Sequence, residues 1–386
     1  MLIRQWRLLL AARAALCQIL TMTQYTLYAA PVSLFSGKAR AYLRWRGAKF
    51  EEVLTTTEVM REIVPQIGWA VIPIMKTKDG TLIQDTADII DHVEADISTP
   101  SVSPLNPVLN FTSALLHLYG DEWLTLPAMH YRWNYNEEWI YGEFGRMAAP
   151  RADADVHYKI GKKRGQMFKG FVPMLGITPQ TAPCIERSYE EFLDEFSAHL
   201  EHHDYLLGGR PCLADFAFYG PLYAHLYRDP ASGDIMKARA PRVAAWVERL
   251  RDGHYGAGTF GEAGALAAEV PQTVLPLLKR HFTEHLEVLS VSARLLSDWA
   301  KDKAAGAELP RALGSTPFTM GSCTGQIIAR SFSLYRLQAV MDIYQQLTGE
   351  DKRKADALLD ATGGGALKIW AATPRLARKN YKLVLA

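Results

Sequence analysis

Two hydroxyls three residues apart, Ser33 and Ser36, stand where a strand-like run, Tyr25–Ala29, gives way through Ala30-Pro31-Val32 to a helical pattern. A helix start leaves its first N–H groups unpaired and carries the positive end of the macrodipole, so it favours an anion such as a thiolate. Spacing alone leaves a second reading open, in which Ser36 is only the N-cap and Ser33 a loop residue. Further along, Ile72-Pro73 lies between two strand-like runs, where an interior proline belongs to an edge or a turn. A cis bond there turns the Ile72 backbone outward, available to an extended peptide. Asp85-Thr86 opens a second apolar helical run, with Thr86 as its expected N-cap, so a second helix start can hold a carboxylate. Thr86 would cap its helix with or without a ligand. Two anion-holding helix starts and an exposed backbone edge together fit a small, extended, acidic peptide bearing a thiol.

The elements that position these residues alternate. A strand at Tyr25–Ala29 leads to a helix at Gly37–Arg46 closed by Gly47, and a strand follows at Phe50–Leu54. Strands at Val71–Lys76 and Thr81–Ile83 flank Asp79-Gly80, and a helix at Ala87–Glu94 ends the unit. Three prolines within 99–107 then break every period. The expected organisation is an extension over 1–22, an α/β domain over 23–97, a linker over 98–107, an all-helical domain over 108–252, and a mostly helical extension over 253–386. In that extension 271–300 reads as helix, Thr319–Ile328 as a hairpin and 334–348 as a last helix before a basic tail.

The element order, with four segments, resembles the glutathione transferase superfamily. The segments are Leu27 to Ser36 at the first strand–helix junction, Val71-Ile72-Pro73-Ile74, Asp79-Gly80 with Asp85-Thr86, and Leu207-Gly208-Gly209-Arg210-Pro211-Cys212-Leu213-Ala214-Asp215-Phe216. The resemblance implies a thioredoxin-like α/β domain that binds glutathione as co-substrate, followed by a larger all-α domain. Ala29 occupies the position of the family's catalytic tyrosine and Tyr28 points to the other face of its strand, so the resemblance is to serine-type members. It implies Ser33 as the catalytic residue and Ser36, Ile72, Pro73, Asp85 and Thr86 as glutathione-binding residues. Also implied are a small electrophilic substrate, a detoxifying role in the cytoplasm, and a homodimer whose interface the C-terminal extension is able to cover. Asp85 is a carbon shorter than the usual Glu or Gln, Thr86 replaces Ser, and Cys212 stands at a helix N-cap where a hydroxyl is usual. Such substitutions also suit a transferase-like fold used for binding or scaffolding without turnover.

Other features point away from other classes. The 386 residues, 48% hydrophobic and 22% charged, are those of a globular protein of two or three domains at roughly 150 residues each. The net charge of +2 is exceeded by Arg4, Arg7 and Arg13 of the first 21 residues, so no nucleic-acid partner is expected. No run spans a bilayer, so no membrane partner is expected either. The basic, apolar residues 1–21 have no small-residue cleavage site and read as an upstream extension of a protein starting at Met22 rather than as a targeting segment. Cys17, Cys184, Cys212 and Cys323 lie far apart, which suggests no disulfide framework and a reducing compartment. His281-Phe282-Thr283-Glu284-His285 matches a zinc-protease pattern but has no third ligand in view, and no metal is expected. His199, His202 and His203 read as a solvated helix end.

Overall fold

In a computed structural model, residues 24–96, 101–255, 264–371 and 373–386 are described. The expected extension over 1–22 and the start of the linker lie outside them. The first domain is built on a four-stranded sheet of β1 (Tyr25–Ala29), β2 (Phe50–Leu54), β3 (Ile74–Thr77) and β4 (Leu82–Gln84), in the order β2-β1-β3-β4. β1 runs parallel to β2 and antiparallel to β3, and β4 is an antiparallel edge strand. The alternate burial of β1 follows from its pleat: Tyr25, Leu27 and Ala29 face the main core. Helix α1 (Leu34–Trp45) follows β1, and Gly47, at φ 67°, makes the turn beyond it.

Helix α2 (Thr57–Ile67) was not anticipated. Pro65 breaks the pattern read as sequence, yet the helix is capped by Thr56 and ends at Gly68, at φ 83°. Ile63 and Ile67 make it amphipathic; they pack with Ile74 and Tyr28 on the sheet face opposite the main core. Helix α3 (Thr86–Asp96) completes the domain.

The all-helical domain comprises α4 (Pro107–Glu122), α5 (Thr125–Tyr135), α6 (Glu137–Ala148), α7 (Ala154–Lys169), α8 (Ala182–His199), α9 (Leu213–Pro221), a π-helical turn at Leu222–Tyr227, α10 (Pro230–Arg239) and α11 (Pro241–Asp252). Gly120 lets α4 and α9 touch, since a Cβ there would lie 2.8 Å from the Ala217 carbonyl carbon. The extension then packs onto this body, and one apolar cluster runs through sheet, helices and extension. It contains α12 (Leu275–Ala300), the hairpin β5 (Ala312–Met320) and β6 (Cys323–Arg330), α13 (Ser331–Gln346), α14 (Gly349–Thr362), and a terminal hairpin of β7 (Leu376–Lys379) and β8 (Lys382–Leu385).

Where a basic tail was expected, there are α14 and a folded hairpin; Arg375, just before it, pairs with Asp342, and within it Arg378 pairs with Asp88 and Lys382 with Glu308. The reading of the cysteines is also corrected. Cys184 of α8 and Cys323 of β6 form a disulfide with Cα atoms 6.1 Å apart, across 139 residues that conceal the pairing in the sequence.

Candidate functional site

Ser33, not Ser36, caps α1. Ser33 has extended dihedrals and its Oγ accepts from Ser36 N at 3.3 Å. Ser36 is buried, and its hydroxyl accepts from Ala30 N at 3.2 Å, so it fastens the loop and presents nothing to a ligand. Ser33 is half-buried, and the cap uses only an acceptor lone pair of its hydroxyl, leaving the O–H to donate outward. Among the described residues the N–H groups of Leu34 and Phe35 have no partner, as the first turn of a helix requires, and no acid lies in that turn.

The Ser33 loop is held from the second domain. Arg132 of α5, itself buried, donates to the Val32 carbonyl at 2.8 Å, to the Ala224 carbonyl at 2.6 Å and through Nε and Nη2 to the Asp229 carboxylate at 2.7 and 2.8 Å. The fork geometry of the guanidinium suits it to bridge a carboxylate and two carbonyls at once. Sequence reasoning missed Arg132; a lone cation between Tyr131 and Trp133 in an apolar helix was the available signal. Tyr219 and Tyr223, stacked 5.0 Å apart, were missed too, and Tyr223 lies against α1 at Gly37.

The Ile72–Pro73 bond is cis. Tyr28 pairs with Ile74, so carrying the antiparallel register two places further sets Ile72 level with Ala30, beside the Ser33 loop. Among the described residues the Ile72 backbone has no hydrogen-bond partner, while Pro73 is buried beneath it. Ile74 pairs in turn with Gln84, which brings Asp85 and Thr86 to the same end of the sheet. Here too the cap lies one residue earlier than expected. Asp85, at φ 87°, accepts from Ala87 N at 2.9 Å, whereas Thr86 is the first helical residue and is buried. Thr86 can offer an incoming carboxylate its N–H.

Ser33, Ile72, Asp85 and Thr86 are thus brought to one end of the sheet, and Ser36 and Pro73 support them from beneath. Residues 27–101 match the family described as the glutathione S-transferase N-terminal domain, and residues 179–249 the glutathione S-transferase C-terminal domain. Both domains match the glutathione S-transferase superfamily.

Solved structures similar to this chain include the beta-etherase LigF from Sphingobium sp. strain SYK-6, at 20% identity over 60% of this chain and 95% of that one, with TM-score 0.43. FzlA from C. crescentus is 18% identical over 65% of this chain and 99% of its own, with TM-score 0.38. A Tau class glutathione S-transferase from mango, Mangifera indica, is 16% identical over 59% of this chain and 88% of its own, again with TM-score 0.38. No curated protein matches the chain.

His281 and His285, which fit a zinc-protease pattern in the sequence, pack against aromatic side chains of the core. His285 stacks on Trp123 at 4.8 Å and His281 meets Tyr119 at 5.4 Å. Glu284 accepts from Trp123, Ser188 and Arg280. Burial lowers the His281 pKa to about 3, and no group of three or more His, Cys, Asp or Glu side chains among the described residues is arranged to hold a metal. His199, expected in solvent, is buried against Tyr205 O and Thr273 Oγ1, and burial lowers its pKa to about 4. Tyr28 packs among Ile63, Ile67 and Ile74, on the face opposite the main core.

Proposed function

We propose that the protein is a serine-type glutathione transferase that conjugates the glutathione thiolate to a small electrophile and so removes it. The observation that carries this reading is the Ser33 hydroxyl, whose O–H is left to donate beside the unpaired N–H groups of Leu34 and Phe35. An O–H donor and the positive end of α1 both favour S⁻ over SH. Two units of pKa lowering from a free thiol near ~8.5 raise the thiolate fraction at neutral pH from a few per cent to about three quarters. The unpaired Ile72 backbone suits the extended peptide, and the Thr86 N–H with the α3 dipole suits its carboxylate. The thiol proton is released to solvent, the thiolate sulfur attacks the electrophilic carbon, and as the S–C bond forms the bond from that carbon to its leaving group breaks, the group departing as an anion with the bonding pair.

The test is retention on immobilised glutathione together with conjugation of a model electrophile; both are expected. One observation favours a non-catalytic binding protein: Ser36 and Thr86 are buried, so fewer hydroxyls face a ligand than the resemblance implies. Retention without turnover would establish that alternative. A cytoplasmic location belongs to the proposal, and a Cys184–Cys323 bond found in thiol-trapped cell extracts would count against it. So does a homodimer, although α13 and the terminal hairpin lie against α4 and α3, through Arg336 to His117 and Arg378 to Asp88. Light scattering at 43.1 kDa would remove the dimer.

A further inference from the structure

Helix α7 has sixteen residues and buries two of them, Gly161 and Gly165. Both glycines face α6, where the backbones touch: a Cβ on Gly161 would lie 1.7 Å from Tyr141 O, and one on Gly145 1.8 Å from His157 O. The remaining residues are exposed or, like His157, Tyr158, Ile160 and Arg164, half-buried. Of the eight large apolar side chains exposed among the described residues, five lie on α7 and the turn after it: Val156 37%, Met167 58%, Phe168 41%, Phe171 44% and Met174 42%. Between Lys159 and Lys169 come five cations and no acid. Arg164 turns in to Thr57 and Lys169 pairs with Glu137, but Lys159 and Lys163 are exposed and have no carboxylate partner among the described residues. Spacings of three and four residues place Val156, Lys159, Lys163 and Met167 on one face, opposite the glycines.

We infer that this face docks on an anionic phospholipid surface. Exposed apolar side chains gathered in one place mark an interaction site. A helix with lysines beside Met and Phe lies in a bilayer interface, its apolar groups among the acyl chains and its ammonium groups at the phosphates. The charge here selects an anionic partner. The patch is narrow, a single helix edge and a turn, whereas a stable protein–protein interface takes about 800 Å² from each partner. No described helix is long and apolar enough to cross a membrane, so the contact is superficial. The expectation of no membrane partner rested on the absence of a spanning run, and a surface contact needs none.

The test is vesicle flotation of the full chain with phosphatidylcholine alone and with an equimolar mixture of phosphatidylcholine and phosphatidylserine. Binding is expected to the mixture only, and salt should weaken it. Lys159→Glu with Lys163→Glu should reduce binding more than about tenfold. Met167→Ser with Phe171→Ser should abolish it, and both pairs should keep the parent melting temperature because they change solvent-facing groups. Equal binding to both vesicle types, binding unaffected by the charge reversal, or no flotation at all would overturn the inference. So would a dimeric parent made monomeric by the Met167→Ser, Phe171→Ser pair, which would assign the patch to a second copy of the chain.

Discussion

Ser33 and Ser36 divide their work in a way that spacing could not show. Both are three-apart hydroxyls at a helix start; which one caps depends on which adopts extended dihedrals, and the buried Ala30 N–H claims Ser36. Ser33→Ala should raise the bound thiol pKa by about one unit or more, some ~1.4 kcal/mol of anion stabilisation, and lower turnover at neutral pH about tenfold. It should also cost about 1 kcal/mol of stability through the lost cap. Ser36→Ala leaves the Ala30 N–H buried without its acceptor and should cost about 1–3 kcal/mol, with the thiol pKa nearly kept. Titrating thiolate absorbance in both variants decides the roles, and a shift in Ser36→Ala alone would reverse them. Asp85 and Thr86 repeat the lesson, since adjacent residues that can both cap are ranked only by backbone geometry. Cys212 shows a position read correctly: its N–H donates to Asp215, and its Sγ both accepts from Ser113 and donates to Asp215. A serine hydroxyl can make the same bonds, so Cys212→Ser should hold stability level or raise it by up to about 1 kcal/mol in chemical denaturation.

At the scale of elements, those fixed by local pattern were legible and those fixed by distant partners were not. β1, β2, α1, the linker prolines and the β5–β6 hairpin carry their signals within a few residues. Helix α2 hides behind Pro65, and its capping by Thr56 and its stripe of Ile63 and Ile67 outweigh the proline. The terminal hairpin has no strong strand signal of its own; it forms because Arg378 reaches Gln84 and Asp88, and the Tyr381 hydroxyl the Leu82 carbonyl. The α6–α7 pair rests on contacts that no side chain fits between. Gly161→Ala should therefore force the helices apart and cost at least about 1–3 kcal/mol, read as a lowered melting temperature. An unchanged melt would mean that the helices do not meet there.

For the whole molecule, six histidines buried among the described residues govern the response to acid: His117, His130, His199, His225, His281 and His285. Burial lowers the His117 pKa to about 3, with Lys38 adding to it, and holds His225 and His285 well below the usual imidazole range. Above about pH 6.5 folded and unfolded chains both carry these groups neutral. Below it the unfolded chain takes up protons that the folded one refuses until about pH 4 for His199 and about pH 3 for His117 and His281, so stability falls with pH through that window. Each such histidine steepens the loss by up to about 1.4 kcal/mol per pH unit, and urea midpoints that stay level from neutral to pH 5 would contradict it. The disulfide has a separate test. In unfolded, unreduced protein, thiol titration should find two reactive cysteines, Cys17 and Cys212, of the four. The edge strand β4 has a different consequence, which concerns time. Its Gln84 carbonyl waits for Arg378, 294 residues further along the chain. At typical translation speeds the ribosome needs on the order of 15–60 s to span that interval. Throughout it the emerging first domain exposes an open sheet edge, the feature to which strands of other chains and chaperones attach.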